Sequence, residues 1–142
     1  RCLLLGTGAD ELLGGYARHR SAVRNRGLDG VRAEMLKDVH RLWDRNLGRD
    51  DRLVADHGRE ARHPFLDESV VAFIGALPMD VVTMHGDKWI LREVARMLDL
   101  PRCAGFKKRA IQFGTRIAKR SNVKHFVSNR QGDGTAAYVP SQ

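Results

Sequence analysis

Asp10 stands just beyond two glycines, Gly6 and Gly8, that interrupt the apolar run 2–5. That run lacks alternation, which is the pattern of a buried strand. Beyond it, Leu12, Leu13, Gly14, Gly15 and Tyr16 begin a helical segment that closes among Arg18, His19 and Arg20. A strand that enters a glycine turn and leaves as a helix gathers backbone N–H groups at one point, a natural place for a phosphate. The carboxylate of Asp10 beside such a turn is a hard oxygen ligand, suited to Mg2+ carried in with a nucleotide. An ordinary turn with an aspartate capping a helix has the same pattern. Glu11 occupies the place of the third glycine of a dinucleotide-binding turn, and the Gly-Lys-Ser/Thr of the NTPase phosphate loop is missing. On these residues alone the two readings stand level.

Lys88 is the second candidate. It opens an amphipathic segment in which Trp89, Ile90, Leu91, Val94, Met97 and Leu98 are expected to be buried, with Leu100-Pro101 ending it. The first turn of a helix is already positive, so a lysine there is locally unfavourable unless an anion shares the site. Further on, Lys107, Lys108 and Arg109 form a cationic triplet. Lys107 is expected on a solvated face, whereas Lys108 and Arg109 could face either phosphate or water.

The elements that must position these groups follow from periodicity. Residues 21–30 are polar with two glycines and read as a loop. From Val31, the residues Met35, Leu36, Val39, Leu42, Trp43 and Leu47 recur at helical spacing, with Asp38 among the charges off that stripe. The charged run 45–52 reads as a solvated turn. Pro64-Phe65-Leu66 reads as a turn docked on the core, with Asp67 as N-cap of a helix that stops at Pro78. Residues 80–86 read as a connector.

With 142 residues there is room for one domain, and 42% hydrophobic content with only 6% aromatic implies a modest aliphatic core. The net charge of +8 suits an anionic partner, although 17 acidic residues are interspersed with the basic ones. Two cysteines far apart fit neither a disulfide framework nor a zinc knuckle, and point to a reducing, cytoplasmic setting. No apolar run reaches membrane-spanning length. Only one strand is evident, and a strand needs neighbours for its backbone groups. The chain is therefore expected to be the C-terminal piece of something larger, with an ordered part over 1–120 and a loose polar tail over 121–142.

Four separated stretches resemble the asparagine synthetase family in the family's own order. Leu5-Gly6-Thr7-Gly8-Ala9-Asp10-Glu11 with Gly14-Gly15-Tyr16 is similar to its SGxGxDExxGGY segment. Asp51-Arg52 followed by Gly58 to Asp67 resembles its DR…GxExRxPFLD signature. Lys88 to Glu93 resembles KxILRE, and residues 106–114 resemble R-K-x-x-F-G. The resemblance implies the mostly helical C-terminal part of an α/β PP-loop ATPase domain (adenine nucleotide α-hydrolase-like), with one N-terminal strand. It implies MgATP as cofactor, with Gly6, Thr7, Gly8 and Asp10 at the nucleotide and Asp10 on the metal. It also implies a catalytic Lys88 that reaches the pyrophosphate of ATP, while Glu60, Arg62 and Asp67 act mainly as scaffold.

The implied reaction adenylates the side-chain carboxylate of aspartate, after which ammonia from an upstream glutaminase domain gives asparagine. This chain departs from the family in three ways. The SGGxDS pyrophosphate loop has no counterpart within it, Cys2 precedes a strand and is no glutaminase nucleophile, and Thr7 replaces an acid. Two other readings are a non-catalytic relative that binds proteins and, less favoured, a basic nucleic-acid-binding module.

Overall fold

The computed structural model describes residues 1–109, and Arg1–Phe106 makes one compact unit. The expected tail over 121–142 and the end of the basic motif lie outside the described residues. Among the described residues the fold is mostly helical, as the sequence implies, but it holds two strands rather than one. Strand β1 (Cys2–Leu4) pairs in parallel with β2 (Glu60–Arg62), Leu3 lying opposite Ala61. Leu5 N–H donates to Arg62 O at 2.8 Å, which extends the ladder by one residue. Glu60-Ala61-Arg62 has no strand signature of its own. It is extended because β1 supplies the partner groups that its backbone needs. The expected burial of β1 does not hold, since Leu3 and Leu4 are exposed and a two-stranded ladder offers no layer to cover them.

Helix α1 (Ala9–Leu12) is a single turn that follows the glycine pair directly, not one that starts at Leu12. Gly14 adopts a left-handed conformation (φ 66°) and ends that turn. The long α2 (Ala17–His40) then covers the stretch expected to be a loop. It is broken only at Gly27, whose φ of 69° and ψ of −163° belong to a region that only glycine occupies comfortably.

The break is a reversal. A straight helix would hold Arg18 and Asp38 about 30 Å apart, yet Arg18 Nη2 lies 2.6 Å from Asp38 Oδ2. Residues 17–26 and 28–40 are therefore two arms folded against each other. Ala22 on one arm and Val31 and Met35 on the other are buried in one cluster. Asp38 faces this closed side and is buried, contrary to its expected place on the solvent face.

A π-helical turn (Trp43–Leu47) runs straight into α3 (Gly48–Asp56), so the charged run 45–52 is helical and not an open turn. The wide turn shifts the phase of the apolar stripe, and Trp43 is exposed while Leu42 is buried. After β2, a 3-10 turn (Pro64–Leu66) leads to Asp67, which caps α4 (Glu68–Ala76) as expected, accepting from Ser69 N–H at 3.0 Å. The hydrogen bonds from Ser69 hold the Asp67 carboxyl below its ordinary value.

The expected connector contains a short helix, α5 (Met79–Thr83), and its Val82 is fully buried. Helices α6 (Trp89–Met97) and α7 (Pro101–Gly105) complete the unit. Ile90 and Leu91 of α6 pack on the core, whereas Val94, Met97 and Leu98 are exposed. The amphipathic stripe is thus satisfied on one side only. Both cysteines are free and exposed. No described helix is long and apolar enough to cross a membrane.

Candidate active site

Gly8 turns the chain from β1 into α1. Its φ is 98°, and a Cβ there would lie 2.5 Å from Leu66 Cδ2, so the glycine serves both the turn and the docking of the Pro64–Leu66 turn above it. Gly8 is consequently buried, whereas Gly6 is exposed and a Cβ there would meet no atom within 4 Å. Local packing does not demand glycine at position 6, which leaves the backbone open to close approach from outside.

Asp10 projects from α1 across Gly15. A Cβ on Gly15 would fall 2.0 Å from Asp10 Oδ1, so only glycine leaves room for this carboxylate orientation. Gly15 N–H also donates to Asp10 O at 2.8 Å. Gly15→Ala is expected to turn the carboxylate away and to cost about 1–3 kcal/mol by overpacking. A lowered thermal midpoint together with weakened MgATP binding in the intact protein would check it.

Lys88 immediately precedes α6, rather than lying within its first turn, and takes a left-handed conformation (φ 51°, ψ 38°). Its N–H donates to Leu13 O at 3.3 Å, tying it to the end of α1. Its Nζ lies 2.9 Å from Asp10 Oδ1, with about a fifth to a quarter of each side chain exposed. The two candidate residues, remote in sequence, therefore form one ion pair at an accessible edge of the core. The anion that the lysine requires is here the carboxylate itself.

Further charged and polar contacts involve Thr7, Glu11 and the start of α2. Thr7 Oγ1 donates to Asp50 Oδ2 at 3.4 Å, and Asp50 is held by Arg49 at 2.7 Å. Glu11 is buried and accepts a short hydrogen bond from the Tyr16 hydroxyl. Burial, then the Glu11 contacts, push the Tyr16 phenol well above its ordinary value. The Arg18 guanidinium covers the Tyr16 ring at 4.1 Å. His19 is buried with Nε2 2.8 Å from Asp38 Oδ2. Arg20 pairs with Asp87, next to Lys88.

Sequence reasoning singled out Gly6, Thr7, Gly8, Asp10 and Lys88, and all but Gly8 line the accessible side of this turn. It missed the supporting charges Glu11, Asp38, Asp50 and Asp87. Asp38 and Asp87 gain their partners only through the fold, from Arg18 with His19 and from Arg20, whereas Glu11 and Asp50 meet Tyr16 and Arg49 close by in the sequence.

Among the described residues no three His, Cys, Asp or Glu side chains cluster as a metal cage. A single partly exposed carboxylate fits Mg2+ that arrives on phosphates and keeps most of its own ligands, which is how that ion is commonly held.

The family model described as asparagine synthase matches residues 24–136. The chain is similar to asparagine synthetase domain-containing protein 1 of Mus musculus, 47% identical over 93% of this chain and 22% of that protein. The human protein of the same name is 44% identical over the same shares. A putative asparagine synthetase (glutamine-hydrolyzing) of Methanocaldococcus jannaschii is 48% identical over 56% of this chain and 15% of that protein. The chain thus spans about a fifth of the length of the first two relatives. No solved structure matches it. By its four motifs, the family match and this identity over nearly its whole length, the chain belongs to the asparagine synthase family.

Proposed function

We propose that this chain is the helical part of an ATP-dependent, asparagine-synthetase-like amidoligase whose nucleotide-binding sheet completes a PP-loop domain. The observation that carries the reading is the ion pair: Lys88 Nζ and Asp10 Oδ1, the two atoms that family resemblance assigns to MgATP, lie 2.9 Å apart. In this reading Asp10 holds Mg2+ and Gly6 and Thr7 border the nucleotide. When bound, Mg2+ neutralises phosphate charge and so eases departure of pyrophosphate. Lys88 then exchanges the Asp10 carboxylate for the leaving pyrophosphate and stabilises the charge that grows there. Aspartate is the carboxylate substrate, and ammonia from a glutaminase domain is the nitrogen donor.

One observation favours a second reading, a non-catalytic relative whose helical surface binds proteins. Thr7 stands where the family carries an acid, and its hydroxyl is engaged with Asp50. A threonine cannot serve as a base near neutral pH.

Pyrophosphate release by the intact protein with MgATP and aspartate, supplied with glutamine or ammonium, separates the readings. Aspartate-dependent release that disappears in Asp10→Asn, with the fold intact, is the expected result. ATP binding without release from any amino acid would favour the non-catalytic relative.

A further inference from the structure

The peptide that joins Asp87 to Lys88 is held on every side. Its N–H donates to Leu13 O, and the carboxylate of Asp87 is paired with Arg20 of α2. Its carbonyl, Asp87 O, accepts from Arg92 Nε at 3.1 Å. The same guanidinium donates through Nη1 to Ala104 O at 2.6 Å and to Phe106 O at 2.8 Å, at the end of α7. Arg92 is unlike the other arginines of the unit for which partners are resolved. Arg18, Arg20, Arg26, Arg49, Arg62 and Arg96 all meet carboxylates, and Arg59 meets only the adjacent carbonyl of Gly58. Arg92 instead directs its planar fork at three main-chain carbonyls. A lysine could reach only one of them with comparable geometry.

The peptide so held determines the conformation of Lys88. A non-glycine residue at φ 51° is disfavoured by sterics and persists only when its surroundings over-determine it. With Lys88 O held in the first turn of α6 by Arg92 N–H at 3.3 Å, fixing the preceding peptide as well fixes that φ, and hence the direction in which the Lys88 side chain leaves the backbone.

We propose that Arg92 is the positioning residue of Lys88: it sets the left-handed turn that aims Nζ at the Asp10 site, and it makes that aim depend on the α7 terminus. The catalytic part of this inference rests on the function proposed above; the positioning part does not.

The test uses the intact protein with Arg92→Lys and Arg92→Ala, each first checked for an unchanged circular dichroism spectrum. Trace acetylation with acetic anhydride, read by peptide mass spectrometry, reports the reactivity of Lys88 Nζ without any need for turnover. In Arg92→Lys the Lys88 rate should change several-fold relative to exposed lysines such as Lys37, and hydrogen exchange at the Lys88 amide should accelerate. In pyrophosphate release, kcat should fall about 10- to 100-fold, the scale of a misplaced catalytic group, with KM for ATP little changed. Added guanidinium should restore part of kcat in Arg92→Ala. Lys88 labelling and exchange like wild type in Arg92→Lys would overturn the positioning role. Altered labelling in a protein that never releases pyrophosphate would preserve it and sink only the catalytic reading. If Arg92→Ala fails to fold, Arg92→Lys alone decides.

Discussion

Lys88→Ala in the intact protein is expected to slow pyrophosphate release about 10²- to 10³-fold, the usual scale for losing one preorganised charge in a transition state. ATP affinity should fall far less. In the resting arrangement Lys88 already has a partner in Asp10, so a bound nucleotide must displace that partner, and the net gain on binding is small. The gain on reaching the transition state is larger, because the departing pyrophosphate accumulates more negative charge for the ammonium to meet than the single carboxylate it replaces. A loss confined to kcat is the signature of such an interaction, and equal losses in kcat and in ATP affinity would instead mark a plain binding contact. The left-handed backbone at this position provides a control. Lys88→Gly removes the same ammonium but suits φ 51° better, so it should be about 1 kcal/mol more stable than Lys88→Ala while losing as much rate. A recovery of rate in the glycine variant would mean that backbone distortion, not the missing charge, had slowed the alanine variant.

Asp38→Ala should be the most destabilising of the single changes considered, by about 3–5 kcal/mol. The carboxylate is buried and receives both Arg18 at 2.6 Å and His19 at 2.8 Å. Its removal takes from the half-exposed Arg18 its nearer carboxylate, leaving Glu34 at 3.9 Å, and leaves the fully buried imidazole of His19 without the one partner its Nε2 has. It also releases the clasp between the two arms of α2. Asp38→Asn, which keeps the shape and one acceptor, should cost less than half as much. Thermal midpoints of the two variants check this ordering. A mild effect for Asp38→Ala would mean that apolar contacts among Ala22, Val31 and Met35 hold the arms unaided.

The sequence makes plain those features whose cause is local. Gly8 stands where the strand must turn, Asp67 caps the helix that follows it, and Lys88 at a helix entrance asks for an anion. Each of these can be argued from a handful of neighbouring residues, and each position holds in the fold. That Asp10 is the nearby carboxylate is a tertiary fact and leaves no local trace.

The reversal in α2 escapes for a different reason. Residues 24–30 are polar because they lie at the far end of two helical arms, with little to bury, so the stretch 21–30 lacks the periodicity that marks a helix. Asp38 is misplaced as a consequence: a helix read as single has one buried face, whereas an arm folded against another has a second. Strand β2 escapes because Glu60-Ala61-Arg62 is extended only through its partner. The exposed apolar side chains of β1 and of α6, Leu4 and Met97 among them, look buried in the sequence because composition records what a segment could cover, not whether a cover is present.

The single-residue break at Gly27 bears on how the molecule assembles. Contacts between the arms join residues close along the chain, as Arg26 with Glu34 illustrates at 3.1 Å, so closing them costs little loop entropy. Low contact order of this kind favours early and rapid formation. The site is different, since Asp10 and Lys88 meet only after the whole intervening chain has been placed. The order that follows is a preformed helical pair on which β1, α1 and finally α6 converge, with the Asp10–Lys88 ion pair among the last contacts made.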